Sequence, residues 1–275
     1  MKLYDKTKWI VIFAVLAVLA AVGAAADSFI AGKLYMLFGK NAGSVFDKAL
    51  PVVPLILCSF SAAVFMSCRN THSTKKKNTA ITVLCGILSY AFAFAAAYYP
   101  FSDIKNIDLL IIGAMAAAIS GSAIYLAYTS FKYTDQKIVM MGYAKRTIVS
   151  TLAVAAVCGI AMLFPQRTCY DSIMQNIAMT GSPEGPYCQT VPLLPFATAG
   201  APVVMNMFFF KDAIPKLRFS EKPLYILPCL WTAVMIFGVQ LSGTVYASEA
   251  AAGAIVGSII VLLTSKIFEK TENSN

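Results

Sequence analysis

Few side chains of this chain are of the types that carry nucleophilic or acid–base chemistry. Glu184 and Glu249 are two carboxylates next to apolar runs, and Arg167 is a cation in the same part of the sequence. A carboxylate pair can perform general acid–base catalysis, and an Arg can hold an anion. The only histidine, His72, lies in a connection that ends with Lys75–Lys77, and we interpret it as a solvated loop residue.

These residues belong to a chain that is very apolar. Of its 275 residues 59% are hydrophobic and 13% charged, against about 25% charged in soluble domains. Eight stretches are near the roughly 20 residues that a membrane-spanning helix needs. They cover about 9–26, 50–67, 79–98, 108–128, 147–164, 190–209, 224–242 and 249–265. Long, uninterrupted apolar runs indicate helices and not a membrane barrel.

We therefore predict an all-α, polytopic membrane bundle with eight spans in a single domain. N-terminal spans would occupy residues 1–146, a core 147–265, and a cytoplasmic tail 266–275. The apolar run from Trp9 to Ala26 resembles a signal peptide, but it exceeds the usual core of about 7–15 residues. We interpret it as a retained span.

The distribution of basic residues predicts the orientation. With the N-terminus in the cytoplasm, 17 of the 22 Lys and Arg residues lie on the cytoplasmic side. The outer side keeps the other five: Lys33, Lys40, Lys48, Lys105 and Arg167. This bias places both termini in the cytoplasm of a plasma membrane. The net charge of +9 then reflects topology and attraction to anionic lipids, and nucleic-acid binding is not expected.

Of the seven cysteines, two share the outer loop that runs from Pro165 to Gln189. These two are Cys169 and Cys188. Because the outer side of a plasma membrane is oxidising, we predict a disulfide between them. Four others, Cys58, Cys85, Cys158 and Cys229, lie within predicted spans. There is no Cys-x2-Cys pair, and we expect neither a metal nor another cofactor.

Two outer segments carry a resemblance to a known family. The first is the string Gly181-Ser182-Pro183-Glu184-Gly185-Pro186, and the second runs from Gly243 through Tyr246-Ala247-Ser248-Glu249 to Gly253. They are similar to the second and third motifs of the membrane-bound type-2 phosphatidic acid phosphatases, a superfamily of lipid-phosphate phosphatases. The similarity is to bacterial members, so we expect a bacterial plasma membrane protein. Arg167 stands where the first motif of that superfamily has an Arg.

The resemblance implies a phosphatase mechanism for which this chain lacks the residues. The family uses one His as nucleophile, a second His as acid, and Lys and Arg as phosphate clamps. Pro186 and Val245 stand in the positions of the two His, Glu184 in that of a Ser, and Glu249 in that of an Asp. Gly238 and Val239 stand in the positions of a Ser-Arg pair. Imidazole suits both roles near neutral pH, so without it the family mechanism cannot run.

The leading hypothesis is a catalytically inactive member that binds a lipid, such as a phospholipid or a polyprenyl phosphate, or a membrane protein partner. One alternative is a small permease or lipid carrier that uses the sixth span, which Pro192, Pro195 and Pro202 interrupt. Another is an active phosphatidic acid or undecaprenyl pyrophosphate phosphatase with an altered site. The ligand-site candidates are Arg167, Ser182, Glu184, Gly185, Tyr246, Ser248 and Glu249.

Two features of the last predicted helix each allow two interpretations. Glu249 would either stabilise the helix N-terminus or serve as a ligand or proton-coupling residue. Gly253-x3-Gly257 is a small-xxx-small pattern, which would serve close packing within the fold or a homodimer.

Overall fold

The described part of the chain folds almost entirely into helices. The computed structural model describes residues 6–44, 46, 48, 51–67, 75–102, 108–130, 134–164, 167–185, 190–191, 193–208 and 221–272. The helices are α1 (Lys6–Ser44), α2 (Val52–Ser67), α3 (Lys75–Tyr98), α4 (Leu109–Ser130), α5 (Thr134–Ala161), α6 (Tyr170–Thr180), α7 (Phe196–Gly200), α8 (Met205–Phe208), α9 (Glu221–Gln240) and α10 (Ala247–Glu272). Two 3-10 helices, Tyr99–Phe101 and Ala201–Val204, and two short strands complete the described elements.

Five segments of these helices are long and apolar enough to cross a membrane. They are Trp9–Leu34, Asn78–Phe101, Leu109–Thr129, Met140–Ala161 and Ala247–Ile267. Two shorter apolar helices, Val52–Ser67 and Pro228–Gln240, lie where the second and seventh spans were predicted. The prediction of an all-α membrane bundle is confirmed at this level.

The sixth predicted span, 190–209, is not one helix. Residues Thr190–Val191 form a strand, and the chain then continues as α7, a 3-10 helix and α8. Pro195 is the N-cap of α7, and Pro202 lies in the 3-10 helix. Proline has no N–H to donate to a helix ladder, which explains why the apolar run breaks into short pieces.

Two short strands and one helix follow α5, and none of the three was predicted. Strands β1 (Arg167–Thr168) and β2 (Thr190–Val191) pair antiparallel, with Arg167 opposite Val191. Between them lies α6, which ends at Gly181 in the left-handed conformation, with φ of 76°. Glycine adopts this conformation without steric cost and so ends the helix.

The described chain divides into two compact units. One takes its residues from Met1–Pro51, Leu152–Pro202 and Tyr225–Asn275, and the other from Val52–Thr151 and Val203–Leu224. In the second unit, Ser59 of α2 and Ser89 of α3 each donate to the other's carbonyl oxygen, at 2.9 and 3.0 Å. Hydroxyl groups commonly join helices in this way in membranes. The boundary predicted after residue 146 falls within α5.

The first unit is built on α1, α9 and α10. Its core contains Leu16, Ala31, Met235, Ile236, Val239, Val245, Ala250 and Ala254, all buried. Glycines allow its helices to approach closely. A Cβ at Gly23 of α1 would lie 2.7 Å from the Ser248 nitrogen, and one at Gly257 of α10 would collide with the Ala199 carbonyl oxygen. The Gly253-x3-Gly257 face thus packs against α7 within the unit.

Gly257→Ala should therefore destabilise the protein. The added methyl group meets backbone at Ala199, and overpacking of this kind costs about 1–3 kcal/mol of unfolding free energy. Thermal unfolding in detergent measures the change. Gly159→Ala in α5 is the matched control, because nothing lies within 4 Å of a Cβ at that position. Equal melting temperatures for the two variants would contradict the packing.

Candidate functional site

A polar cluster lies at the N-terminal end of α10, where α1 and β1 also meet. Its members are Asp27 from α1, Arg167 from β1, and Tyr246, Ser248 and Glu249 at the start of α10. The first four N–H groups of a helix have no partner within it. Here two carboxylates, one local and one distant in sequence, supply acceptors at this end.

Glu249 forms the local part of this cap. Its Oε2 accepts a hydrogen bond from the Tyr246 backbone N–H at 3.2 Å. Tyr246 directly precedes α10 and Glu249 is its third residue, so this is the reciprocal half of a capping box. The helix dipole also favours a carboxylate in the first turn.

Asp27 forms the distant part. Its Oδ1 accepts from the Ser248 backbone N–H at 3.0 Å, and its Oδ2 accepts from the Ser248 hydroxyl at 2.5 Å. The same Oδ2 receives the Arg167 Nη1 donor at 2.8 Å. Only 4% of the Asp27 side chain is exposed. A single buried carboxylate therefore joins α1, β1 and α10.

Arg167 is held on one side and open on the other. Nη1 lies 2.8 Å from Asp27 and 3.9 Å from Glu249 Oε1, and Cζ lies 4.3 Å from the centre of the Tyr246 ring. Even so, 51% of the side chain is exposed. The hydrogen bond to Asp27 raises the pKa of the guanidinium above its ordinary value. The cation is permanent, anchored and accessible.

The Tyr246 ring packs against the Arg167 guanidinium. This ring is buried, and the Tyr246 hydroxyl donates to the Thr168 carbonyl oxygen at 2.9 Å. Burial raises the pKa of this phenol, so it stays a neutral donor. Tyr246 thus ties the start of α10 to the strand that carries Arg167.

The two carboxylates differ in how well they are satisfied. Asp27 accepts three hydrogen bonds. Glu249 Oε1 is buried and accepts none, and its nearest charged partner is Arg167 at 3.9 Å. Two carboxylates and one guanidinium leave a formal charge of −1. Among the residues that the structure describes, no three His, Cys, Asp or Glu side chains are grouped to hold a metal ion.

The other candidates form a separate group at the end of α6. Asn176 Nδ2 donates to the Ser182 carbonyl oxygen at 2.9 Å, and the Glu184 N–H lies 3.3 Å from Ser182 Oγ. A Cβ at Gly185 would lie 2.6 Å from Asn176 Nδ2. The start of α6 is near the cluster, because the Asp171 N–H donates to the Gly243 carbonyl oxygen at 3.1 Å. Eleven residues of helix, about 16 Å, then separate its two ends.

Cys169 is a free, buried thiol, and the described residues contain no disulfide. Its Sγ donates to Ser172 Oγ at 3.1 Å, next to the hydrophobic core. Cys188 lies outside the described residues, so the predicted Cys169–Cys188 bond receives no support. Pairing of β1 with β2 closes the loop instead.

Several positions singled out from the sequence are core residues. Val245, which was aligned with a His of the resembled family, is 3% exposed, and Val239, which was aligned with an Arg, is fully buried. A Cβ at Gly238 would collide with the Phe46 ring. Pro186 lies outside the described residues. Val245, Val239 and Gly238 therefore contribute to the packing of the core.

Comparison with known proteins gives no relative: no protein-family profile, no curated protein and no solved structure matches the chain.

Asp27→Ala should destabilise the protein by about 3 kcal/mol or more, because it leaves Arg167 without the carboxylate 2.8 Å away and the Ser248 N–H of the α10 cap without its acceptor. Asp108→Ala is the matched control. Asp108 also caps a helix, with Oδ1 accepting from the Leu110 N–H at 2.9 Å, but it is exposed and unpaired with any described cation. Its loss should cost about 1 kcal/mol. Chemical denaturation in mixed micelles compares the two, and equal losses would show that Asp27 is only a local cap.

Proposed function

We propose that this chain is a non-catalytic membrane protein that binds the anionic headgroup of a phospholipid at Arg167. The observation that carries the proposal is a guanidinium fixed by Asp27 and Tyr246 with half of its side chain exposed. Such a pre-oriented fork is suited to phosphate oxygens, since little side-chain freedom is lost on binding. With both termini in the cytoplasm, as the basic residues predict, the site faces the outer leaflet of the plasma membrane.

The charge balance selects the type of phosphate. A phosphomonoester carries close to two negative charges, and one Arg beside two carboxylates opposes it. A phosphodiester carries a single charge and can approach the open edge of the guanidinium. Phospholipids with a diester headgroup are therefore favoured over polyprenyl phosphates and phosphatidic acid.

The same balance argues against hydrolysis. Phosphoryl transfer needs several cationic groups around the transition state, and this cluster supplies one. Arg167 is also already engaged with Asp27 at 2.8 Å. The nucleophile and acid positions of the resembled family hold no His in this chain. The cluster is equipped to hold an anion and not to cleave it.

Purified protein should release no inorganic phosphate from short-chain phosphatidic acid or undecaprenyl pyrophosphate. A Val245→His variant should remain inactive and lose stability, because position 245 is in the core. Phosphate release in detergent, measured with an active lipid-phosphate phosphatase as positive control, tests this. Turnover by the wild type would overturn the non-catalytic proposal, and Glu184→Gln and Glu249→Gln would then be examined first.

Phosphatidylglycerol binding should depend on Arg167. Native mass spectrometry of the detergent-purified protein should show roughly tenfold or greater weakening for Arg167→Gln, because a charge-assisted hydrogen bond is lost. Arg167→Lys keeps the pair with Asp27 and should bind with intermediate affinity. Lys33→Gln is the control, since Lys33 is an exposed cation on α1 with its ammonium 5.8 Å from the Phe29 ring. Equal weakening by Lys33→Gln would mean that only surface charge attracts the lipid.

A second candidate, a lipid carrier, is favoured by one observation. The broken segment from Ala197 to Pro202 of the first unit is buried throughout, although it contains a change from α7 to a 3-10 helix. Discontinuous helices at membrane depth occur where transporters bind their substrates. Dithionite quenching of a fluorescent phospholipid in proteoliposomes separates the candidates, because a carrier accelerates exchange between leaflets and a binding protein does not.

A further inference from the structure

Glu249 has an oxygen that the structure leaves without a donor. About 5% of its side chain is exposed, and Oε1 is buried and accepts no hydrogen bond. A buried carboxylate with an unpartnered oxygen is costly to keep in a membrane protein, and such residues mark proton or ion sites. This oxygen points into the cluster, 3.9 Å from Arg167 Nη1.

Asp27 differs from Glu249 in this respect. Donors occupy both of its oxygens: Ser248 N–H on Oδ1, and the Ser248 hydroxyl and Arg167 on Oδ2. A proton on Glu249 Oε1 would occupy a position that has no donor, and Oε2 could keep the Tyr246 N–H.

We infer that Glu249 is a proton-binding site, and that the bound proton increases the affinity of Arg167 for a phosphodiester headgroup. This inference rests on the proposed function. With Glu249 ionised, the cluster has a formal charge of −1 and repels an anion. With Glu249 protonated, Asp27 and Arg167 cancel, and the exposed edge of the guanidinium faces a neutral site. Proton binding and headgroup binding then favour each other, as linkage requires.

The groups that face Glu249 are few. They are Asp27 from α1, Arg167 from β1 and Tyr246 immediately before α10, with the Cys169 thiol next to Tyr246. Tyr246 is neutral because burial raises its pKa, and Arg167 stays charged because Asp27 raises its pKa. Neither changes charge between pH 5 and pH 8, so both keep the same charge while the affinity is measured over that range.

The test is the pH dependence of phosphatidylglycerol binding, since this lipid keeps its single charge over the range used. Between about pH 8 and about pH 5 we expect the wild-type affinity to rise roughly tenfold, the effect of removing one charge near the phosphate at an intermediate dielectric. Glu249→Gln should bind at all pH values as the wild type does at low pH. Glu184→Gln, an exposed Glu of the same predicted outer side, should behave as the wild type.

The outcomes separate this inference from the proposed function. A wild-type affinity that does not change with pH, or a Glu249→Gln variant that keeps the full pH dependence, would overturn the proton site alone. Binding by Arg167→Gln equal to that of the wild type would overturn the headgroup site itself. If Glu249→Gln does not fold, the wild-type infrared difference spectrum between the two pH values provides the second measurement. We expect a protonated-carboxyl band at low pH in the wild type and also in Glu184→Gln. Absence of this band would contradict the inference.

Discussion

The buried carboxylate of Asp27 is the interaction on which the described site depends. It accepts hydrogen bonds from Ser248 at the start of α10 and from Arg167 of β1, and it does so from within an apolar helix. A charge in this position is costly unless it is fully paired. The pairing fixes the register between α1 and α10, because only one turn of α1 can present Asp27 to the free N–H groups. Arg167 is positioned by the same bond.

Close packing makes this geometry possible. In a membrane, apolar burial gives little driving force between helices, so small residues and polar contacts hold them together. Gly23 lies one helical turn before Asp27 and on the same face, and its missing side chain admits the backbone at Ser248. Gly257 admits α7 in the same way. A glycine pattern that would also serve dimerisation is thus used inside the first unit.

Hydropathy predicts the long helices, because a long apolar run can be recognised from the local composition of the sequence alone. The apolar runs at 79–98, 108–128 and 249–265 coincide with helices that are long and apolar enough to span a membrane. It fails at 190–209, where proline breaks a run that is mostly apolar. It also misses α6, a short helix whose buried face includes Asp171, Ser172 and Asn176 and so gives no apolar signal. In both places local backbone chemistry decides the structure.

The candidate site could be predicted only in part from the sequence. Arg167, Tyr246, Ser248 and Glu249 were selected and lie together, whereas Ser182, Glu184 and Gly185 were selected with them and lie at the other end of α6. Asp27 was missed. Its signal is an acidic residue in the apolar helix α1, and its partners are 140 and 221 residues away, so no local pattern could identify them.

A double-mutant cycle between Asp27 and Arg167 tests the account most directly. Unfolding free energies of the wild type, Asp27→Ala, Arg167→Ala and the double variant give the coupling between the two side chains. We expect a coupling of about 1.5–3 kcal/mol, since the ion pair is partly buried and removal of either partner leaves the other charge uncompensated. Losses that add to within about 0.5 kcal/mol would show that the two residues act independently, and the site described here would not exist.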